Sequence, residues 1–371
     1  MNYFFKNFTT ADYFVIYSWL LFLFVFFGSL IVRHLYTKNK TLYLISDRNI
    51  LISFVTIIIF LCGTRGIKIG TDTWNYHFFY FLQGTRLNNP FEIFSFFETD
   101  LMFELIMFLI LPFKNFTIFT LAISIIFNVS MYKFVRKFTN DGYSGSSLLM
   151  FLMIASSFVF FTHQVNTIRN GLAVPFVLFG IYYMDSKNYK KAFLFLLLAY
   201  FCHGTVLIPI ACILGAHFGQ KLKLNYFILF YILGIGLAAA GFGFNKVAFL
   251  ASIGTEDVQS LYFQGETNYR IGFRPDFVIY NSLFLFLFIK LGNLKNDTTL
   301  FLIKYFVFSS IVFFWNFNIP YSDRIGVYSW IVIPLLFTHI MVNSFPKKSL
   351  HYITLFTIGY FSLNYIVLPF I

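Results

Sequence analysis

The sequence predicts an all-α protein that crosses a membrane many times. Of its 371 residues, 58% are hydrophobic and only 11% are charged, and the mean hydropathy is +0.75. Soluble chains carry about a quarter charged residues. Apolar runs of roughly 14–20 residues recur along the chain, which is typical of membrane-spanning helices. The sequence lacks the alternation of apolar and polar residues that is typical of a transmembrane β-barrel, so the predicted class is polytopic α-helical.

The apolar runs predict about eleven or twelve membrane segments in a single polytopic membrane domain, residues 1–371. The first run, residues 14–32, is too long for the core of a signal peptide and is expected to be an uncleaved first span. Residues 101–113 are too short to span comfortably and are expected to be interfacial or re-entrant. The remaining runs are residues 51–62, 116–131, 148–161, 171–184, 192–218, 226–240, 277–289, 300–314, 325–342 and 352–368.

The distribution of charge predicts the orientation of these segments. The net charge of +12 does not indicate a nucleic-acid partner, because most cations stand singly or in small groups between apolar runs. Such groups mark the cytoplasmic ends of spans. They include Arg33 to Arg48, Lys133 to Lys137, Lys187 to Lys191, and Lys347 with Lys348. The stretch that begins at Thr64 then emerges on the outer side.

The apolar run at residues 192–218 has lysine pairs on both flanks, and one pass would place one pair outside. Two half-length helices that meet at His203 and Gly204 would keep both pairs inside and bring His203 toward the outer leaflet. This arrangement is a re-entrant hairpin around His203, and we favour it over a single pass.

The stretch from Thr64 to Tyr76 concentrates ionisable and turn-forming residues directly after an apolar run. Thr71 is expected to cap a helix whose first turn holds Asp72, because threonine caps helices and an acid favours the first turn. On that helix, Asp72, Tyr76, Phe79 and Gln83 are expected to share one face.

Ionisable residues beside the outer ends of several spans suggest one shared site. Such residues usually face the interior of a helix bundle or a watery cavity. Converging arginines suit an anion of the phosphate type. Each residue alone also has a structural interpretation, such as a snorkelling arginine or a local ion pair. The set comprises Arg65, Asp72, Arg169, His203, Arg274, Asp276, Asp323 and Arg324.

Three stretches resemble motifs of the EpsG family, one of the groups of Wzy-like polysaccharide polymerases. They are Arg65-x-x-x-x-Gly70-Thr71-Asp72-Thr73-x-x-Tyr76, the run from Ile168 to Ala173, and the run from Ala199 to Thr205. Two further stretches, residues 272–277 and 323–328, are similar more weakly. The resemblance extends from about Leu51 to the C-terminus. Asn170 departs from the pattern, since a residue such as Gln is expected there.

The resemblance implies polymerisation of repeat units carried on undecaprenyl pyrophosphate, for O-antigen, capsule or exopolysaccharide. The reaction is expected at the outer face of the bacterial cytoplasmic (inner) membrane. Its partners are the lipid-linked donor and acceptor, membrane lipid and a chain-length regulator protein, with no nucleic acid. An O-antigen ligase or a lipid-linked oligosaccharide flippase stays open as an alternative.

Roles for the site residues follow from this expected chemistry. Asp72 or His203 is the candidate base for the acceptor hydroxyl. The candidate pyrophosphate ligands are Arg65, Arg169, Arg274 and Arg324, and the candidate substrate contacts are Tyr76, Asp276 and Asp323. Preorganised arginines stabilise a leaving pyrophosphate without a metal, so no metal or other cofactor is expected. No pair of nucleophilic carboxylates is evident, which favours direct displacement with inversion.

Overall fold

The structure, a computed structural model, describes residues 8–96, 100–142, 144–244 and 271–367. Every regular element within these ranges is a helix, which confirms the predicted all-α class. Nine helices of that part are α1 (Thr10–Lys38), α2 (Lys40–Gly63), α3 (residues 71–84), α4 (Leu101–Ile110), α5 (Phe116–Phe138), α6 (Ser147–Ala155), α7 (Phe158–Val165), α8 (Ile168–Asp185) and α9 (Tyr189–Cys202). They are followed by α10 (Leu207–Phe218), α11 (Leu224–Ala239), α12 (Pro275–Leu291), α13 (Asp297–Phe314), α14 (Asp323–Ser344) and α15 (Ser349–Ser362).

The chain forms two compact units. The first contains Met1–Val206 and Phe345–Ile371, and therefore α1 to α9 and α15. The second contains Leu207–Ser344, and therefore α10 to α14. That residues 1–371 make one membrane domain stays a prediction, because two compact units can belong to one domain.

Asparagine side chains start several of the helices. Asn39, Asn115, Asn188 and Asn296 precede α2, α5, α9 and α13, and each accepts a hydrogen bond from a backbone N–H of the first turn. These side chains satisfy N–H groups that have no partner within the helix.

Within the first unit, α2 and α5 are antiparallel neighbours. Thr120 Oγ1 donates to the backbone oxygen of Gly63 at 2.6 Å, and Ser124 Oγ donates to that of Ile59 at 3.2 Å. At the other end, the hydroxyl of Tyr43 donates to the oxygen of Gly142. The last turn of α5 carries Arg136 and Lys137 and lies beside the start of α2. The basic residues of these two helices therefore gather at one end of the unit, as their charge pattern predicts.

The helices α8 and α9 form an antiparallel pair in the same unit. The ring of Phe179 stacks on that of Phe195 with centroids 4.6 Å apart, and Lys191 Nζ lies 5.4 Å from the ring centroid of Tyr183. The pair turns at its basic end, so α9 returns the chain to the end where α8 begins. His203 follows α9 directly and lies at that end.

The helix α9 ends at Cys202, and His203 has extended backbone dihedrals of φ −166° and ψ 127°. A short 3₁₀ turn, Gly204–Val206, separates it from α10. The interruption that the sequence predicts at His203 is therefore present. The return leg of the re-entrant hairpin stays a prediction, because α10 belongs to the second unit.

Within the second unit, Lys304 on α13 holds the end of α10. Its buried Nζ donates to the backbone oxygens of Gly219, Gln220 and Leu222 at 3.1, 2.8 and 2.8 Å. Carbonyls at a helix C-terminus have no partner within the helix and favour a cation. A buried ammonium and three backbone acceptors thus satisfy one another.

Five helices in the described part are long and apolar enough to cross a membrane: α1, α2, α5, α13 and α14. The pair of α6 and α7, bent by 75°, would make a sixth span if it counts as one. The sequence predicts eleven or twelve segments. The difference arises because several predicted spans are helices of fewer than 18 residues, including α11 and α12. The chain has the helices of a multi-pass membrane protein.

Candidate functional site

Arg65 lies in the loop between α2 and α3 and is buried, with 1% of its surface exposed. Its Nη1 donates to the backbone oxygen of Cys62 at 2.6 Å, and its Nε and Nη2 each lie 3.4 Å from Thr73 Oγ1. Burial lowers the pKa of Arg65 to about 10, so the guanidinium stays charged at neutral pH. In this conformation Arg65 joins the end of α2 to the start of α3 and does not reach solvent.

The loop at Arg65 and the start of α3 are hydrogen-bonded to the end of α7. Thr73 Oγ1 donates to the backbone oxygen of Val165 at 2.5 Å. Asn166 Oδ1 accepts from Thr71 Oγ1 at 2.9 Å and from the backbone N–H of Asp72 at 2.8 Å. The first motif and the second motif of the sequence are thereby in direct contact.

The expectation that Thr71 caps α3 is wrong. Thr71 is the first helical residue, and the N-cap is Gly70, which has no side chain. The amide oxygen of Asn166 serves as the acceptor for the first turn instead. The predicted acid in the first turn, Asp72, is present there.

Two glycines allow this close packing. Gly70 has φ +85°, a conformation that residues with a Cβ rarely adopt, and an added Cβ would lie 2.2 Å from the oxygen of Val165. At Gly171 an added Cβ would lie 2.2 Å from the oxygen of His163. Both motifs therefore need a glycine where a backbone approaches the end of α7.

The expectation that Asp72, Tyr76, Phe79 and Gln83 share one face of α3 is wrong. Residues Tyr76–Phe81 form a π turn, which has more residues per turn than an α-helix and rotates the positions after it. Tyr76 is 5% exposed, whereas Phe79 is 51% exposed. The ring of Tyr76 packs against Phe103 with centroids 5.3 Å apart.

Asp100 joins the second and third motifs. Its Oδ2 accepts from Arg169 Nη1 at 2.5 Å and lies 3.2 Å from His203 Nδ1. Its Oδ1 accepts from the backbone N–H of Gly204 at 3.3 Å. The Nε of Arg169 also donates to the hydroxyl of Tyr76 at 3.2 Å. One carboxylate thus holds residues that are 69 to 104 positions away in the chain.

Asp100 stands at the N-cap of α4, where an aspartate usually accepts a backbone N–H of its own helix. Its side chain makes no such bond, and its oxygens are directed to Arg169, His203 and Gly204 instead. Burial raises the pKa of Asp100, but the hydrogen bond and charge of His203 and those of Arg169 outweigh it. The pKa therefore lies below its ordinary value, and the carboxylate is ionised at neutral pH.

Asp100 is absent from the site that the sequence predicts. The only sequence signal was an acid directly before an apolar helix in an acid-rich loop. Asn166 was missed for the same reason, because an asparagine in a polar loop carries no distinctive pattern. Both residues act through contacts with distant parts of the chain.

The site in the first unit combines charges with different access to solvent. The side chain of Asp100 is 2% exposed, that of His203 is 17% exposed and that of Arg169 is 26% exposed. The guanidinium of Arg169 lies beside the buried Asp100 carboxylate and is partly exposed, and a guanidinium suits an anion of the phosphate type. Arg169 and His203 are therefore partly accessible to a ligand in this conformation.

The second unit holds the other four predicted residues. Arg274 makes a bidentate ion pair with Asp276: Nη2 donates to Oδ2 at 2.6 Å, and Nε donates to Oδ1 at 3.1 Å. Its guanidinium carbon also lies 4.4 Å from the ring centroid of Phe277. Asp323 begins α14. The guanidinium carbon of Arg324 lies 4.9 Å from the ring centroid of Tyr321, whose φ is +60°.

The predicted roles of the site residues stay predictions. The structure brings Arg65, Asp72, Tyr76, Arg169 and His203 to one end of the first unit. Arg274, Asp276, Asp323 and Arg324 belong to the second unit and are described within it alone. Among the described residues, no group of three or more His, Cys, Asp or Glu is arranged to hold a metal ion.

Comparison with known proteins assigns the family. The model of the EpsG family matches residues 48–370, which is nearly the whole chain. No curated protein and no solved structure matches the chain. The EpsG family includes Wzy-like polymerases. The chain therefore belongs to the EpsG family and is a multi-pass membrane protein of the polysaccharide polymerase type.

Proposed function

We propose that this protein joins undecaprenyl-pyrophosphate-linked repeat units into a polysaccharide, at the outer face of the cytoplasmic membrane. The observation that carries the proposal is the Asp100 carboxylate, which joins Arg169 of one motif to His203 of another. An arginine for the donor pyrophosphate and a histidine for the acceptor hydroxyl then stand beside each other. These are the two groups that a metal-independent glycosyl transfer needs.

Arg169 is the proposed ligand of the donor pyrophosphate. It lies in the first turn of α8, and Asp100 and Tyr76 fix the orientation of its guanidinium. A planar guanidinium can bind two phosphate oxygens at once. Arg65 is almost fully buried, so we assign it the role of holding the loop that leads into α3.

His203 is the proposed base, and Asp100 is its positioning residue. With Nδ1 at the carboxylate, a neutral imidazole carries its proton on Nδ1 and its basic lone pair on Nε2. The acceptor hydroxyl attacks the anomeric carbon of the donor and gives its proton to Nε2. The bond from that carbon to the pyrophosphate oxygen breaks, and the lipid pyrophosphate leaves with the electron pair. One displacement of this kind inverts the donor carbon. Asp72 remains the alternative base.

The arrangement of the first unit supports an extracytoplasmic site. The helix α2 has 24 residues and is therefore about 36 Å long, about the thickness of a bilayer core. Arg65 follows its end, whereas Arg33, Lys38 and Lys40 lie at or before its start. The positive-inside rule assigns the basic end to the cytoplasm. The site then lies at the opposite surface.

Deletion of the gene tests the proposed function against its alternatives. We expect a gel of surface polysaccharide to lose the long-chain ladder, while a single repeat unit stays attached. Loss of every attached unit contradicts a polymerase and favours the ligase or flippase alternative, because those steps precede or perform attachment. Purified protein with undecaprenyl-pyrophosphate-linked repeat units should also extend chains in the presence of a chelator.

Matched arginine variants test the site. Arg169→Ala should abolish the ladder, and Arg169→Lys should lower chain extension by roughly 100-fold, the usual effect of removing one preorganised donor. Arg136→Ala is the control, because Arg136 also pairs with an aspartate but lies at the basic end of the unit. His203→Ala should abolish the ladder with protein still present in the membrane. An unchanged ladder with Arg169→Ala would mean that the pyrophosphate role is wrong.

A further inference from the structure

A cavity lined in part by cationic side chains lies in the first unit, between the end of α1 and the start of α15. Its volume is about 390 Å³, within the range of small-molecule sites. It is lined by Arg33, Tyr36, Thr37, Lys347, Lys348, Leu350, His351 and Tyr352. None of the described residues that line it is acidic. Nothing in the proposed reaction uses this cavity.

The cavity and the proposed active site are at opposite ends of the unit. Arg33 lies in the last two turns of α1, which is followed by the start of α2. The full length of α2, about 36 Å, then separates this end from Arg65. A ligand in the cavity therefore cannot touch Arg169 or His203. The cavity is a separate site on the face that the charge pattern assigns to the cytoplasm.

The lining selects an anion. Arg33, Lys347 and Lys348 bring three full positive charges from two segments that are far apart in sequence. The Nδ1 atom of His351 is buried and has no hydrogen-bond partner within the described part of the chain. The hydroxyl groups of Tyr36 and Tyr352 add hydrogen-bonding capacity among the lining residues. A phosphate group offers several acceptor oxygens to such a set of donors.

We propose that this cavity binds the phosphate of an anionic membrane lipid at the cytoplasmic surface. The helices that form it carry exposed apolar side chains within about one to two turns of the cavity, at Leu30, Ile31 and Leu355. A lipid can therefore place its headgroup among the cations while its chains follow these apolar side chains. Basic pockets between helices at the cytoplasmic surface suit anionic headgroups. Free phosphate shares this chemistry and is the other source to be tested.

The test measures thermal stability of the purified full-length protein in detergent. Phosphatidylglycerol is titrated in one arm, phosphatidylcholine in a second, and inorganic phosphate without lipid in a third. The cavity variant combines Arg33→Ala, Lys347→Ala and Lys348→Ala. The matched control removes the same charge from the same end of the unit, outside the cavity, with Lys38→Ala, Lys137→Ala and Lys190→Ala.

We expect phosphatidylglycerol to stabilise the wild type and phosphatidylcholine to have no such effect. The cavity variant should need at least ~10-fold more phosphatidylglycerol for half of the stabilisation, because the three cations that line the cavity and would pair with the phosphate are lost. The control variant should stay within about twofold of the wild type. Equal losses in the two variants would overturn the cavity assignment, because general surface charge would explain them. Full stabilisation by inorganic phosphate alone would overturn the lipid source.

Discussion

Asp100→Asn is the substitution that most directly tests the proposed site. The amide keeps the shape of the side chain but removes the charge that Arg169 and His203 face at 2.5 and 3.2 Å. One of the two acceptor oxygens also becomes an NH₂ donor. The Arg169 guanidinium then loses its carboxylate partner in a mostly buried position.

The expected magnitude follows from the contacts. Two unit charges about 4 Å apart attract by about 4 kcal/mol at an effective dielectric constant near 20. Because 26% of the Arg169 side chain is exposed, water screens part of that attraction. We therefore expect a loss of about 2 to 4 kcal/mol, which lowers the rate of chain extension roughly 30- to 900-fold.

The assay combines chain extension by purified protein with the pH dependence of the rate. A role that is only structural lowers the amount of folded protein and leaves the shape of the pH profile unchanged. Loss of the positioning carboxylate should also move the acid limb of the profile to lower pH, because an acid beside an imidazole favours its protonated form.

Asp141→Asn is the matched control for this substitution. Asp141 also pairs with an arginine, Arg136, at 3.0 Å, but its side chain is 64% exposed. Exposed pairs contribute at most about 1 kcal/mol. Its φ is +56°, which asparagine adopts readily. If Asp100→Asn extends chains as well as Asp141→Asn does, the assignment of Asp100 as the residue that organises the site is refuted.

Three further predictions concern stability. Because the pKa of Asp100 lies below its ordinary value, the ionised carboxylate stabilises the folded protein above about pH 4, and this stabilisation is lost as the pH falls through the folded-state pKa. Thermal melts of Asp100→Asn should lack this loss. An acid dependence identical to that of the wild type would contradict the prediction. Gly70→Ala should destabilise the protein by more than about 1 kcal/mol, because φ is +85° and the backbone of Val165 leaves no room for a Cβ. Gly359→Ala is the control: a Cβ added there would meet no atom within 4 Å, so the same melt should show no change or a stabilisation. Lys304→Met should cost about 2 to 3 kcal/mol, because three backbone oxygens lose their donor; an unchanged melting temperature would show that those oxygens find other partners.

Much of the fold could be predicted from local sequence patterns. Apolar runs and scattered charge lead to a helical membrane protein because each span must be apolar over its whole length. The clusters of cations lead to the common basic end that α1, α2 and α5 share in the structure. The number of full-length spans was harder to predict, since an apolar run does not show where its helix breaks, as the bend between α6 and α7 illustrates.

The site was predictable in part. Arg65, Asp72, Arg169 and His203 were found as ionisable residues beside the ends of apolar runs, and the motifs that contain them identified the family. The partners Asp100 and Asn166 were not found. The π turn at Tyr76–Phe81 also changed which side of α3 is buried, and helical periodicity counted from the sequence assumes an unbroken α-helix.

The sequence by itself determined the helical membrane class, the basic end of the first unit and the motifs of the EpsG family. These depend on composition and short spacing, which a chain carries without being folded. Only the tertiary structure decided that Asp100 would hold Arg169 and His203, that Asn166 would cap α3, and that Arg65 would be buried. Those contacts join residues up to 104 positions apart. They exist because antiparallel helices bring distant helix ends together, and no local pattern specifies which ends will meet.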